Sequence, residues 1–431
     1  MIAAGLLFTG LGNNVSDYLF TYVDIPNRPA LGTSQILTYS APGNILNSTG
    51  GTSQDKILSG AWEQFHAFSF VGTDVAHQRI SNEDGSTVIG SITNHLFTRE
   101  GTGTTYFEIN GKSAAEPLYF EDVGSVAATS ALQISAFSTG PYVWIGNIVN
   151  NSRGYAVFAN SAGTLSGGDA STPVTSSNNY QDFVVKFVRS FSPVGNKEHF
   201  YIGATTTTTY AIHHNFSIEH CFGYESEWDG MQIENATDFY ANKLTIINGG
   251  TDDTASQNAN IQVQNAYGTV ENCIFMGAPQ GFRFTSQEIL FDNNYVHWTG
   301  NIGNEILDYY GNYAASNRLM VDPTGKEITI SNCDFVADTW TGALLTVYDP
   351  EVNITVSNCR IAGATSLFGD SRGGGPTGTL TDGGGNTFVS ASEIPTPTFS
   401  NYTPTDFTGH GLLTEEYHHA LGRGYRTPNA A

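Results

Sequence analysis

Charge is scarce in this chain, and basic charge is scarcest. Only 13% of its 431 residues are Asp, Glu, Lys or Arg, and 17 Lys and Arg stand against 40 acids, for a formal net charge of -23. Such a surface repels phosphate backbones, which argues against DNA or RNA as a partner and leaves neutral or basic partners and calcium bridging open. Acidic polysaccharides are repelled as well unless a basic patch or a metal intervenes. Cysteine is also sparse: four in a chain of this size do not make a disulfide scaffold. No apolar run approaches the length of a membrane span. The opening MIAAGLLFTGLGNN has a short apolar run, no basic residue ahead of it and no clear cleavage site. The expectation is a soluble protein without an ordinary secretory leader, or one already processed. GxSxG, CxxC and P-loop phrases are all missing.

What the chain does have is glycine (48 residues) and aromatics, with 21 Tyr and 26 Phe. This composition is poor for helices and good for strands joined by tight turns. Aromatics at 12% are too many for a disordered chain.

One phrase recurs through the second half: IEHCF (218–222), VENCIF (270–275), ISNCDF (330–335) and VSNCRI (356–361). A divergent copy reads FDNNYV (291–296) and a weaker one YANKLTI (240–246). Alignment puts Cys221, Lys243, Cys273, Asn294, Cys333 and Cys359 in one column, at spacings of 22, 30, 21, 39 and 26 residues. A variable period in the twenties with strand-like sequence is the mark of a parallel β-helix, with loops inserted at turns in the long intervals. Coils stack about 4.8 Å apart, so like side chains recur above one another. The column before the cysteines holds His220, Asn242, Asn272, Asn293, Asn332 and Asn358, and stacked Asn side chains satisfy one another and the turn backbone. The cysteines themselves read as small inward residues with free thiols.

A second phrase keeps the same register. Gly-Met-Gln-Ile (230–233), Asn-Ile-Gln-Val (260–263) and Gly-Phe-Arg-Phe (281–284) lie 30 and 21 residues apart. Alternation puts Met231, Ile233, Ile261, Val263, Phe282 and Phe284 inward, and Gln232, Gln262 and Arg283 outward. Upstream, FHAFSFVG (65–72), HLFTRE (95–100), TYFEING (105–111), PYVWIGNIVN (141–150), YAVFAN (155–160), FVVKFV (183–188) and HFYIGAT (199–205) read as further strands. The expected organisation is an N-terminal cap or attachment segment over 1–57, a β-helix of about thirteen coils over 58–390, and a Pro/Thr-rich C-terminal tail and cap over 391–431, where LLTEEYHHALGRGYR alone has a helical character.

With the xNC ladder and the phrases EHFYIG (198–203) and EWDGMQI (227–233), the chain resembles the right-handed parallel β-helix superfamily, which includes pectate-lyase-like enzymes and bacteriophage tailspikes. The phrases look like those of secreted or surface β-helix proteins of Bacteroidetes-type bacteria and their phages. The resemblance covers roughly residues 60–390. It implies an all-β solenoid, but not one function: the fold hosts lyases, hydrolases, epimerases, adhesins and virion spikes.

Candidate chemistry centres on an outward strand face. Aligning EHFYIG with DGMQIE stacks Tyr201 on Gln232, Gln262 and Arg283, with His199 and Glu234 on the same outward parity. Such a strip, with Trp228 beside it, suits sugar binding: rings stack on sugar faces while amides and guanidinium bond hydroxyls or carboxylates. The plainer reading is a solvated sheet face. Glu198 aligns with Asp229 one coil away, and with Glu227 these acids are the catalytic candidates, since carboxylates about 5 Å apart suit general acid chemistry. Strict alternation points Glu198 and Asp229 inward, and turn capping by Asp229 is the simpler role. A lyase resembling pectate lyase wants an Arg or Lys base and calcium-binding acids. Arg283 is the one outward base on this face, and Asp252 and Asp253 (in GGTDDTAS) are calcium candidates, with a polar insertion loop as the plainer reading. His213, His214 and His220 do not make a zinc set, because adjacent strand residues face opposite ways. No metal or cofactor is expected, calcium excepted.

Three functions follow from this reading. The first is a virion or phage-like-particle protein of tailspike type that recognises host-surface glycans, with other particle proteins as partners and a homotrimer as the usual assembly of such spikes. The second is a secreted glycoside hydrolase or polysaccharide lyase. The third is a bacterial surface adhesin. Nucleic acid and membrane insertion are not expected.

Overall fold

The computed structural model describes strand backbones from Leu6 to Phe388 and side chains chiefly over 217–399, with separate positions between 156 and 202; segments such as 204–212, 252–258, 307–325, 373–377 and 400–431 lie outside the described residues. The expected calcium candidates Asp252 and Asp253 and the segment LLTEEYHHALGRGYR fall in those outside segments.

Three long sheets run the length of the molecule. Sheet I extends from His66–Val71 to Thr387–Phe388 with 12 strands, sheet II from Gln54–Ile57 to Ser366–Asp370 with 12, and sheet III from Ser91–Ile92 to Leu380–Gly384 with 11. The chain visits I, II and III in turn, and each strand pairs in parallel with its counterpart one coil on. This is a right-handed parallel β-helix. Eleven or twelve strands per sheet at about 4.8 Å give an axis of about 50 Å. The count falls one below expectation because insertions, such as that between Asn304–Ile306 and Lys326–Ser331, lengthen the average coil. The first sheet II strand, Gln54–Ile57, pairs with Ala76–Ser81 and so lies just ahead of residue 58. The upstream phrases all contain strands, among them His66–Val71, His95–Glu100 and Val143–Gly146.

The corner between sheets III and I explains the repeat. His220, Lys243, Asn272, Asn293, Asn332 and Asn358 all sit at φ between 53° and 56°. This left-handed conformation suits Asn, whose short polar side chain bonds locally. Strand register then aligns Cys221, Leu244, Cys273, Asn294, Cys333, Cys359 and Asn386, each directly ahead of a sheet I strand. Lys243 therefore belongs to the left-handed row, and Leu244 fills the inward row in its place. The sequence alignment slipped by one residue there because no cysteine marks that coil.

The inward thiols are free and buried. Each donates to the carbonyl two residues back, as Cys273 does to Glu271 at 3.1 Å and Cys333 to Ser331 at 3.0 Å. Where Asn replaces Cys it fastens two coils together. Asn294 accepts from the Cys273 N–H at 2.8 Å and donates to the Val270 carbonyl at 2.9 Å. Asn386 repeats this with Cys359 and Val356 at 2.9 and 2.8 Å. Outside the corner the amides form the expected ladder: Asn293 donates to Asn272 directly across at 2.7 Å, and Asn272 reaches diagonally to Asn242 at 3.0 Å.

Met231, Ile233, Ile261, Val263, Phe282 and Phe284 are fully buried in the core, where the Phe282 and Phe284 rings stack at 4.5 Å. Sheet I is also apolar on its outer side. Phe222, Ile274, Tyr295 and Val336 form a second cluster there, closed by Ile394 and Phe399 from beyond the last strand. Phe399 reaches Phe222, six strands back along the sheet, with ring centroids 6.4 Å apart. The segment after Thr387–Phe388 therefore runs back along sheet I as a strap. Arg360 helps hold it, pairing with buried Asp334 at 2.5 and 2.8 Å and donating to the Glu393 carbonyl at 3.3 Å.

Candidate functional site

Sheet II carries the polar strip, in the register the phrases imply. Tyr201 pairs with Gln232, Gln232 with Gln262, Gln262 with Arg283 and Arg283 with Glu305. Their neighbours in each strand face the core, so this row points outward. The row is nonetheless buried: Tyr201 is 8% exposed, Gln232 3%, Gln262 1% and Arg283 8%. The row two residues on is more open, with Glu234, Gln264 and Thr285 half-buried.

Glu234 ties the strip together. It accepts from the Tyr201 hydroxyl at 2.7 Å and from the Gln232 amide at 2.5 Å. Arg283 lies 3.5 Å from the Glu305 carboxylate, an ion pair in a half-buried setting. Three buried oxygens, Asp229 Oδ2, Gln232 Oε1 and Gln262 Oε1, have no hydrogen-bond partner among the described residues. Buried oxygens without donors are costly, so the strip is built around groups still able to accept.

The start of the strands departs from simple alternation. His199 is turned inward at the corner between sheets I and II, not outward as its parity predicts. Its Nδ1 sits 2.9 Å from Ser190 Oγ, and a Cβ on Gly223 would come within 2.4 Å of its ring. Gly230 and Gly281 occupy the same inward row, where a Cβ would meet Ile246 at 2.2 Å and Val296 at 2.3 Å. His199 is thus a core residue, fully buried, and burial lowers its pKa to about 3. Asp229, expected inward, lies instead within the field of Arg283 and Glu234 of the outer strip.

Glu198 and Asp229 are both fully buried, and the pairing of Phe200 with Met231 sets them one coil apart, as the alignment expects. Asp229 Oδ1 accepts from the Ala259 N–H at 2.8 Å, which caps the next coil. Its pKa is raised to about 7, chiefly by burial, against the Ala259 hydrogen bond and the nearby positive charge of Arg283, with Glu234 adding to the rise. Asp229 is therefore a carboxyl that holds its proton close to neutrality, within the field of one guanidinium and one carboxylate. Glu227 and Trp228 are half-buried on the turn leading to it, where the Trp228 carbonyl accepts from Gly250 N–H at 2.6 Å.

Sequence reasoning placed Glu234 on the outer face without giving it a role, although it is the centre of the network. Glu305 was missed. Glu305 follows Arg283 by 22 residues, inside the period, but the short strand Asn304–Ile306 carries no repeat phrase. His213–His214 forms a short strand beside Ala236–Thr237. No group of three or more His, Cys, Asp or Glu among the described residues is arranged to hold a metal. No helix among them is long and apolar enough to cross a membrane.

No family model matches the chain. No curated protein matches it either. Solved structures do. The A-module of a mannuronan C-5 epimerase from Azotobacter vinelandii is 11% identical, with a TM-score of 0.35 over 75% of this chain and 90% of that one. ORF18 of Geobacillus virus E2 is 12% identical, with a TM-score of 0.33 over 77% of this chain and 55% of that one. A GH87 α-1,3-glucanase catalytic unit from Streptomyces thermodiastaticus is 13% identical, with a TM-score of 0.23 over 77% of this chain and 66% of that one. At these scores the similarities decide nothing about chemistry, and the fold rests on the strand pairing itself.

Proposed function

We propose that this protein recognises host-surface glycans along the outer strip of sheet II, as a tailspike-type component of a virion or phage-like particle. One observation carries the glycan reading: Tyr201, Gln232, Gln262 and Arg283 stack in register, with the amide oxygens of Gln232 and Gln262 unpartnered. A repeating row of amide, phenol and guanidinium groups spaced by the coil matches a repeating polymer of hydroxyl groups. A rod about 50 Å long fits a receptor-binding spike, whose remaining partners would be other particle proteins. The test has two arms. Purified protein is applied to cells of candidate hosts before and after enzymatic removal of their surface polysaccharide, and purified particles are searched for peptides of this chain. Retention that disappears with the polysaccharide, and peptides in the particles, support the proposal. Equal retention on stripped cells overturns the glycan part, and particles free of the chain overturn the virion part.

A second reading, a glycan-cleaving hydrolase, is favoured by Asp229. A carboxyl with a pKa of about 7 and a free Oδ2 is suited to donate a proton to a leaving oxygen. Glu198 stands one coil away as the second carboxylate. Incubation with host polysaccharide would then yield new reducing ends, lost in Asp229→Asn and in Glu198→Gln. Unsaturated products absorbing in the ultraviolet would point to a lyase instead, and no product from any host glycan removes the enzymatic reading.

A further inference from the structure

Acceptor oxygens dominate the open hydrogen-bonding groups of the strip, while the donor Arg283 Nε faces the Glu305 carboxylate at 3.5 Å, and this balance limits what the strip can hold. Gln232 Oε1 and Gln262 Oε1 are acceptor oxygens on residues 3% and 1% exposed, and neither receives a donor among the described residues. The Gln232 amide cannot simply be flipped to supply a donor, because its Nε2 is already committed to Glu234 at 2.5 Å. A ligand that satisfies this site must bring O–H or N–H groups to it.

Charge points the same way. Arg283 is the one cation among the described residues of this strip, and Glu305 stands 3.5 Å from it. Glu234 contributes a carboxylate already bound by Tyr201 and Gln232. A second anion entering here meets carboxylates in a poorly solvated setting, where like-charge repulsion is strong. The more open row of Glu234, Gln264 and Thr285 gives the side from which a ligand approaches, and its chemistry is acid, amide and hydroxyl.

We infer that the strip on sheet II takes a non-anionic sugar, a neutral hexose or a hexosamine whose hydroxyl or amino groups donate to Gln232 and Gln262, and that it rejects polyuronates. This rests on the glycan reading above and narrows its ligand class. Of the two groups the guanidinium was expected to bond, hydroxyls or carboxylates, it sets aside the carboxylates, because Arg283 already faces Glu305.

The experiment is binding of the full chain to arrayed neutral hexose, hexosamine and hexuronate oligosaccharides, repeated with Gln262→Met and Gln232→Met. Thermal melts confirm that each variant folds, and two variants are used so that one folding failure leaves the other informative. The expected result is binding to members of the first two classes, weakened about tenfold or more by either substitution, and none to hexuronates. Hexuronate binding that the same substitutions weaken overturns the inference while leaving the strip as the glycan site. Neutral-sugar binding indifferent to both substitutions overturns the assignment to this strip. Absence of binding to all three classes overturns the inference together with the glycan reading.

Discussion

Asp229 and His199 are two fully buried titratable groups in successive coils, and they bend the pH dependence of stability in opposite directions. The pKa of Asp229 is raised from 3.8 to about 7. Between those values the folded chain holds a proton that the unfolded chain has lost, so stability falls as pH rises through this window. At about 1.36 kcal/mol per pH unit the full effect is about 4 kcal/mol. The pKa of His199 is lowered from 6.5 to about 3. There the unfolded chain binds the extra proton, so stability rises with pH across its window, by about 5 kcal/mol in all. The windows overlap from roughly pH 4 to 6.5, where the two slopes oppose each other and nearly cancel. Asp229→Asn removes one slope. It keeps an Oδ1 for the Ala259 N–H, now held at 2.8 Å, and carries no charge at any pH. The variant should match the parent near pH 4 and exceed it increasingly toward pH 8, by up to about 4 kcal/mol, since ionising a buried carboxyl is what costs the parent. Urea denaturation followed by circular dichroism at pH 4 through 8 measures the difference. A difference that stays constant with pH refutes the reasoning, because it would mean that Asp229 titrates alike in the folded and unfolded chain.

Other expectations concern the scaffold. Asn294→Ala deletes an acceptor for Cys273 N–H and a donor to Val270 in a fully buried corner, and should cost about 2–3 kcal/mol in chemical denaturation. Lys243→Gly relieves a left-handed residue at φ 55° and should gain about 1 kcal/mol, measured in the same way. Phe399→Ala removes the ring that reaches Phe222 and should lower stability by about 3 kcal/mol, with increased binding of a hydrophobic dye to sheet I. Gly223→Ala drives a methyl into the His199 ring, so its melting temperature should fall, and part of the loss should return in Gly223→Ala combined with His199→Ala.

The repeat was readable because a solenoid writes its geometry into the sequence one coil at a time. Asn272, Asn332 and Asn358 each precede a cysteine, and each takes the left-handed conformation at the same corner. Where that mark was missing, as at Lys243, the reading slipped by one residue. The strand phrases around Met231, Ile261 and Phe282 fixed both register and core face, since a period of two leaves only two faces to choose between. His199 and Asp229 escaped that rule because they lie at a corner, where the chain turns between sheets. The role of Glu234 was not readable either. Its partners Tyr201 and Gln232 are 33 and 2 residues away, and only stacking brings the three together.

The sequence by itself determined the architecture: parallel coils, inward cysteines, an amide ladder and an outward row of Tyr201, Gln232, Gln262 and Arg283. Local preference and period suffice for these, because every coil repeats the same constraint on its neighbours. Tertiary structure alone decided what is buried on the outer side. It folded residues beyond Thr387–Phe388 back over sheet I, covered the polar row of sheet II, and turned Asp229 into a carboxyl that keeps its proton near neutrality. Those outcomes depend on desolvation and on contacts between coils and segments distant in the chain, and a residue's own sequence neighbourhood carries no record of either.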